Sequence, residues 1–207
     1  LYIHRQMPSL VSNLKAEGYS GNKAMHPFNP YNYNRPAVYK DFGFTDFIDK
    51  FDFPKNVKRV REYISDEANV DRIISEYEKN RKKTDQPFYM YNMTIQNHSP
   101  YDKDAANFKQ PIKIESSQYD AEANRYLNLI KYSDDSLKQL TGYFEKCKEP
   151  TIILFLGDHQ PRLTDEFMNK ITNGQYQTWS SEQMMKRYQV PFVIWANYDI
   201  KEQHIEK

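Results

Sequence analysis

The spacing of apolar residues along the chain predicts alternating helices and strands. Apolar residues recur at helical spacing, with capping residues or glycine stops at several ends, over the segments 9–17, 36–42, 65–83, 120–146 and 181–187. Shorter apolar stretches are typical of strands and cover 20–26, 88–95, 151–156 and 190–195. This order predicts an α/β fold with a mostly parallel sheet and flanking helices.

The apolar pattern also predicts which side chains are buried. The strand at 151–156 is apolar throughout, which is typical of a strand covered on both faces of its sheet. In the long helix at 120–146 we expect the inward face to consist of the residues at helical spacing, namely Ala123, Leu127, Ile130, Leu137, Leu140 and Phe144.

Composition narrows the class of protein. The chain has 207 residues, a net charge of +1 and 39% hydrophobic residues, which predicts one globular domain over 1–207. A nucleic-acid partner is not expected, because phosphate binding needs a clustered surplus of cations. The single cysteine, Cys147, excludes an intrachain disulfide and a multi-cysteine zinc site. No apolar run approaches the roughly 20 residues that span a bilayer.

Polar side chains follow two of the predicted strands. Asn97, His98 and Ser99 come after the strand at 88–95, and Asp158 and His159 come after the strand at 151–156. Ligands of parallel α/β sheets bind at such strand ends. Asp with His suits Mn²⁺, Zn²⁺ or Fe. The alternatives are a turn aspartate beside a surface histidine, and a His98 that only hydrogen-bonds its own turn.

The loop at 26–36 is rich in Pro, Asn and Tyr, and His26 and Arg35 stand at its two ends. Arg35 offers a planar fork for phosphate or sulfate, and His26 adds a further donor. Tyr31 and Tyr33 either contact a substrate or pack on the domain.

The order of these motifs resembles a known family. His26, Tyr33 and Arg35 are followed by Asp41-Phe42-Gly43-Phe44, then Asn97-His98-Ser99-Pro100, then Gly157-Asp158-His159. The series resembles the sulfatase-like extracellular domain of the lipoteichoic acid synthase family, within the alkaline-phosphatase/sulfatase superfamily. The similarity covers about 9–198.

The resemblance implies a metal site and a catalytic histidine. Asp158 and His159 match a pair that ligates a divalent cation, which is usually Mn²⁺, with Zn²⁺, Ca²⁺ and Mg²⁺ as alternatives. His98 matches a histidine near the transferred phosphate and is the candidate catalytic residue.

The resemblance also implies a substrate. His26 and Arg35 match residues that hold a phosphoglycerol head group, and Tyr33 stands where these synthases commonly have Trp. The implied partners are an anionic lipid head group or a glycerol phosphate polymer.

One departure from the family concerns the attacking group. The family's threonine nucleophile and a further acidic metal ligand lie upstream of the histidine loop, and the 25 residues before His26 contain neither motif. A sulfatase Cys/Ser-x-Pro-x-Arg sequence is also absent. Together with Leu1 as the first residue, this predicts the C-terminal portion of a catalytic domain that is incomplete on its N-terminal side and inactive alone.

The function implied for the parent protein is metal-dependent phosphoglycerol transfer in cell-envelope polymer synthesis. Its missing N-terminal region would anchor an extracytoplasmic domain to the bacterial membrane. Two alternatives stay open. One is a sulfatase or phosphodiesterase with another substrate, and the other is a non-catalytic module that binds glycerol phosphate polymers.

Overall fold

Helices and strands alternate along the chain, largely where the apolar pattern predicts them. The computed structural model describes residues 5, 7–115, 117, 119–174 and 176–201. Its contacts divide the chain into a first unit, Leu1–Asn97 with Asp104–Lys109, and a second unit, His98–Lys103 with Gln110–Lys207.

The first unit contains five strands and three helices among its described residues. The strands are β1 (Ser20–Met25), β2 (Asp46–Ile48), β3 (Arg59–Val60), β4 (Tyr63–Ile64) and β5 (Phe88–Asn92). The helices are α1 (Leu10–Ala16), α2 (Arg35–Asp41) and α3 (Asp66–Arg81).

A parallel sheet in the order β2–β1–β5 forms the centre of the first unit. In its register Met25 lies opposite Ile48 on one side and Asn92 on the other. The helices α1 and α3 contact β1, and α2 contacts β2. The prediction of an α/β fold with a parallel sheet and flanking helices is therefore confirmed. The small antiparallel hairpin β3–β4 and the short strand β2 were not predicted.

Apolar and ionic contacts hold α3 and the sheet together. Met25 and Ile48 form a buried cluster with Phe53 and Ile64. Two residues before Met25 on β1, Lys23 Nζ lies 3.0 Å from the carboxylate of Glu76 on α3, which is only 6% exposed. Burial of this kind is tolerated when a charge is paired and hydrogen-bonded.

The second unit contains three helices and two strands among its described residues. These are α4 (Ala121–Phe144), β6 (Ile152–Leu156), α5 (Asp165–Ile171), α6 (Ser181–Met185) and β7 (Phe192–Ala196). Within the described part of the chain, no helix has both the length and the apolar content that a bilayer crossing requires.

The buried face of α4 differs from the predicted one. Leu127 and Ile130 are 40% and 42% exposed, whereas Asn124 and Asn128 are buried. Asn128 accepts from the backbone N–H of Ile112 (2.9 Å) and donates to its carbonyl (2.9 Å). The prediction that Leu127 and Ile130 are buried is therefore wrong. The buried face of α4 carries asparagine side chains instead, because hydrogen bonds from this face hold the backbone around Ile112.

The strands β6 and β7 form an antiparallel ribbon, unlike the parallel sheet β2–β1–β5 of the first unit. Most of its apolar side chains are between 40% and 66% exposed, namely Ile152, Leu154, Phe155, Leu156, Phe192, Val193 and Ile194. Consecutive residues of a strand point to opposite faces, so both faces of the ribbon are open. The expectation that 151–156 is covered on both faces is wrong for this chain.

Candidate functional site

His26 lies at the carboxyl edge of the parallel sheet, directly after the central strand β1. It is 1% exposed, and its backbone N–H donates to the carbonyl of Ile48 on β2 (2.9 Å). Its ring Nδ1 lies 3.0 Å from the carbonyl of Met93, which directly follows β5. Because a carbonyl can only accept, Nδ1 carries the ring proton. His26 thus joins the ends of all three strands at the edge where α/β sheets bind ligands.

The loop after His26 presents Tyr33 and Arg35 at the start of α2. Tyr33 and Asn34 adopt left-handed backbone conformations (φ 59° and 52°), which turn the chain into the helix. The Tyr33 ring is exposed, and the Arg35 guanidinium carbon lies 4.9 Å from its centroid. Arg35 Nη1 also donates to the carbonyl of Asn32 (3.1 Å). The guanidinium group of Arg35 is therefore held in place by the Tyr33 ring and the Asn32 carbonyl in the absence of a ligand.

The charge of Arg35 has no anionic partner among the described residues. Its neighbour Tyr39 is buried, and this burial, together with Tyr91, raises the pKa of the Tyr39 hydroxyl against the opposing effect of Arg35. Tyr39 consequently stays neutral at physiological pH, so the positive charge of Arg35 remains available to an anion.

Asp158 and His159 follow β6 at Gly157. Both side chains are about 70% exposed (69% and 71%), and Asp158 Oδ2 lies 3.5 Å from His159 Nε2. His159 Nδ1 lies 2.9 Å from the carbonyl of Gln160, so Nδ1 carries the proton and Nε2 keeps its lone pair when the ring is neutral. Two ligands of one ion with bonds of about 2.1 Å stand roughly 3.0–3.4 Å apart. At 3.5 Å the pair is slightly wider than this range, so a small rotation of the exposed side chains would bring both atoms to the distance at which one cation can be bound.

The exposed side chain of His98 has a similar arrangement. Its Nδ1 lies 2.7 Å from the carbonyl of Ser99, and the bond between Ser99 and Pro100 is cis. Nδ1 therefore carries the proton of the neutral ring, and proton exchange falls to Nε2.

The predicted site residues are divided between the two units. His26, Tyr33 and Arg35 belong to the first, and the remaining three belong to the second, namely His98, Asp158 and His159. The strands that precede them belong to different sheets, because β5 pairs with β1 and β6 pairs with β7. The sequence predicts that His98, Asp158 and His159 lie at one rim of the sheet, and this stays a prediction. In the part of the chain that the structure describes, no group of three or more His, Cys, Asp or Glu side chains could hold a metal ion.

The structure contains a buried polar network after β5 that the sequence analysis did not predict. Arg61 Nη2 donates to the carbonyl of Gln96 (2.7 Å), and the Gln96 amide exchanges hydrogen bonds with Asp66 at 3.0 and 3.3 Å. All three residues are at most 9% exposed. The network fixes the backbone that leads into Asn97. No periodic pattern signals it, because its members lie in turns and at a helix start.

Comparisons with known proteins agree with this fold. The family model described as Sulfatase matches residues 2–207. A protein of Rhizobium meliloti (strain 1021) named for cyclic beta-1,2-glucan modification is 33% identical over 95% of this chain and 30% of its own length. The lipoteichoic acid synthase of Staphylococcus aureus (strain USA300) is 25% identical over 75% of this chain and 23% of its own length.

Two solved structures share the fold. The lipoteichoic acid synthase LtaP from Listeria monocytogenes superposes with a TM-score of 0.70 at 23% identity, over 92% of this chain and 46% of that one. The Streptococcus pyogenes phosphoglycerol transferase GacH, solved in complex with sn-glycerol-1-phosphate, gives a TM-score of 0.60 at 23% identity, over 87% of this chain and 44% of that one.

The chain spans less than a third of the length of these curated relatives and less than half of the solved chains. The resemblance to lipoteichoic acid synthases, drawn from the histidine, arginine and Gly-Asp-His motifs, is confirmed. A family model that matches almost every residue identifies the chain as a member of the Sulfatase family.

Proposed function

We propose that this chain is the C-terminal portion of the catalytic domain of a metal-dependent phosphoglycerol transferase that acts on anionic phosphate esters of the bacterial cell envelope. The observation that carries the proposal is the proximity of two potential metal ligands, Asp158 and His159, in a chain of the Sulfatase family. Relatives named as lipoteichoic acid synthase and phosphoglycerol transferase support the choice of phosphate over sulfate.

The donor atoms of the pair fit a divalent cation of borderline hardness. A carboxylate oxygen and an imidazole nitrogen suit Mn²⁺ and Zn²⁺ better than Ca²⁺ or Mg²⁺, which prefer oxygen ligands. Gln160 holds the His159 ring by its Nδ1–H (2.9 Å), the kind of outer contact that orients metal-ligating histidines. We take Mn²⁺ as the ion. Two protein ligands hold it weakly, so further ligands must come from elsewhere in the domain.

The loop after β1 supplies the groups for an anionic head group. Arg35 offers a fixed fork with an unneutralised charge, and the ring of Tyr33 beside it can cover the glycerol carbons. His26 stands at the ligand-binding edge of the sheet. We assign these three residues to the phosphoglycerol site.

In phosphoryl transfer, some of these residues would stabilise negative charge and one would exchange a proton. When bound, the ion would supply positive charge that offsets the charge developing on the phosphate. Arg35 orients the phosphate through two parallel hydrogen bonds. His98 exchanges a proton near the phosphate through Nε2, since Nδ1 is held by the Ser99 carbonyl (2.7 Å). The nucleophile belongs to a segment outside this chain, so the chain alone is inactive.

The open ribbon β6–β7 supports the proposal that this chain is a portion of a larger domain. Soluble proteins rarely expose contiguous apolar patches of such size, and here both faces of two paired strands are open. This chain spans only 46% of the matched lipoteichoic acid synthase LtaP, and we propose that further chain of this kind covers the ribbon in the whole protein. In the whole protein we place this domain outside the cytoplasm, anchored to the membrane by a further region.

The metal pair can be tested directly on the 207-residue chain by calorimetric titration with Mn²⁺. We expect weak binding that falls at least about tenfold in Asp158→Asn and in His159→Gln, as losses at metal sites generally do. Asp165→Asn, an exposed acid at the start of α5, is the matched control and should leave binding unchanged. Equal binding by all variants would reject the metal site.

The activity can be tested on the complete catalytic domain with phosphatidylglycerol and Mn²⁺. We expect release of the glycerol phosphate head group, abolished by a chelator and reduced at least tenfold by Arg35→Lys, which keeps the charge but loses the fork. Turnover of an aryl sulfate in its place would select a sulfatase. Binding of glycerol phosphate without turnover would select a non-catalytic module.

A further inference from the structure

A cavity of about 480 Å³ opens in the first unit beside the loop that follows His26. Its volume lies within the roughly 300–1,000 Å³ typical of small-molecule sites. Its walls come from Pro27 and Phe28, from the 3-10 turn Lys50–Asp52, and from the hairpin β3–β4. The side chains that carry the chemistry are aromatic or cationic, namely Phe28, Phe51, Tyr63, Lys50, Lys55 and Arg59.

The aromatic part of the cavity presents a ring face to the solvent. Phe51 is 70% exposed, although burying a phenyl ring would stabilise the fold by roughly 2 kcal/mol. Phe28 and Tyr63, which also line the cavity, stand edge to face with ring centroids 5.9 Å apart. An open aromatic face of this kind suits the C–H face of a sugar ring, which is apolar on one side and bears hydroxyls at its rim.

The cationic part of the cavity holds a surplus of positive charge. Lys50 Nζ lies 4.9 Å from the Phe51 centroid and 5.9 Å from that of Phe28, so its charge is held over the rings. Among the described residues, no carboxylate forms an ion pair with Lys50, Lys55 or Arg59. Arg59 donates only to a backbone carbonyl, that of Glu62 (3.0 Å).

The remaining acid of the cavity wall does not cancel this surplus. Glu62 is the one carboxylate in the wall, against three cations. Burial of Tyr63 and the charge and hydrogen bond of Glu62 raise the pKa of the Tyr63 hydroxyl, while Arg61 lowers it. Glu62 is therefore turned toward a neutral hydroxyl, and the cavity keeps a net positive charge.

We propose that this cavity binds an anionic saccharide, with a sugar ring on Phe51 and its phosphate or carboxylate between Lys50, Lys55 and Arg59. The proposal deepens the proposed function, on which it rests for the role of the saccharide as acceptor of the transferred group. Phe28 joins the cavity to the proposed phosphoglycerol site, because its ring contacts that of His26 with centroids 6.1 Å apart. The relative named for glucan modification agrees with a saccharide acceptor.

Calorimetric titration of the 207-residue chain with three probes tests both parts of the cavity. Glucose 6-phosphate carries ring and charge, glucose carries the ring alone, and inorganic phosphate carries the charge alone. We expect glucose 6-phosphate to bind tightest. Phe51→Leu should weaken glucose 6-phosphate roughly threefold to tenfold and leave phosphate unchanged, since only the ring contact is lost. Lys50→Gln should weaken both by roughly tenfold.

The controls separate a specific loss from unfolding or general charge effects. Lys82→Gln removes an exposed cation at the end of α3 and should change nothing. Phe51→Trp keeps an aromatic face and should restore binding, with far-ultraviolet circular dichroism confirming that each variant is folded. Phosphate binding as tightly as glucose 6-phosphate, or affinities that ignore Phe51→Leu and Lys50→Gln, would overturn the proposal.

The titration needs neither metal nor nucleophile, so its failure is distinguishable from failure of the proposed function. Saccharide binding without head-group release in the complete domain would keep the cavity and reject the transferase. Head-group release without saccharide binding would keep the transferase and reject the cavity.

Discussion

Replacing Glu76 by Gln removes the charge that joins α3 to the central strand β1. The Glu76 carboxylate is 6% exposed and receives Lys23 Nζ at 3.0 Å, Arg72 Nε at 3.1 Å and Lys79 Nζ at 3.1 Å. Breaking a buried ionic network by removing one partner costs about 3–5 kcal/mol. The three cations are themselves 24% to 57% exposed and can regain water, and Lys23 keeps Asp46 at 3.2 Å. We therefore expect a loss of about 1.5–3 kcal/mol in the free energy of unfolding.

Urea unfolding followed by circular dichroism at pH 7 measures this loss. The matched control is Glu67→Gln on the same helix, where the carboxylate is 49% exposed and paired with Lys58. An exposed pair contributes about 0–1 kcal/mol, so the control should lose less than half as much as Glu76→Gln. Equal losses in the two variants would refute the reasoning from burial.

The pH dependence of the same difference provides a second check. Burial opposes ionisation of Glu76, but Lys23, Lys79 and Arg72 outweigh it and lower its pKa from 4.5. A lowered pKa stabilises the folded state above pH 4.5, and this contribution is lost as the pH falls through the folded-state pKa. The gap between wild type and Glu76→Gln should therefore narrow below pH 4.5. A gap that is constant from pH 7 to about pH 3 would contradict the assignment of the charge.

Four further substitutions test other positions. Gly21→Ala should cost about 1–3 kcal/mol by thermal unfolding, because φ is +79° and the added Cβ would stand 2.5 Å from a ring carbon of Phe88. Gly142→Ala in the last turn of α4, where an added Cβ meets open space, should gain about 0.5–1 kcal/mol. Asn197→Ala should raise hydrogen exchange at the end of α4 at least tenfold, because its amide donates to three backbone carbonyls there at 3.0–3.1 Å; unchanged exchange would contradict this. Gln96→Leu should lower stability by about 1–3 kcal/mol in urea, since it leaves Asp66 without its amide partner, and a neutral effect would reject the network.

Helix positions were predictable because their signals are local. Ser9, Ser65 and Asp120 each cap the helix that follows by accepting a backbone N–H, and each is the first residue of a segment predicted to be helical. A cap needs only residues three apart in the chain, so no tertiary information is required.

Burial was not predictable in the same way, because it depends on what covers each face. Leu127 has the helical spacing of a core residue, yet its face of α4 is open and Asn128 is buried instead. Leu154 and Phe155 have the composition of a doubly covered strand, yet they are 59% and 40% exposed. Strand direction was equally hidden, since nothing in 151–156 or 190–195 states that the two pair antiparallel.

In the candidate site, too, contacts between neighbours in the sequence were predictable and contacts between distant residues were not. Asp158 and His159 are adjacent in sequence, so their closeness follows from a short turn after β6. The network of Arg61, Gln96 and Asp66 joins positions up to 35 residues apart, and no local pattern marks it.

His26 is bound twice, by its backbone N–H to the Ile48 carbonyl and by its ring to the Met93 carbonyl, and this has a consequence for mutagenesis. A His26→Ala protein would lose an imidazole at the proposed phosphoglycerol site and, in the same step, the side-chain tie from β1 to the residue after β5. Inactivity of that variant would combine a recognition defect with a loosened sheet edge. His26→Asn separates them, since its amide N–H stands where Nδ1 stood and can still donate to the Met93 carbonyl while the ring is gone. Residual folding with lost turnover in His26→Asn would isolate the part that belongs to recognition.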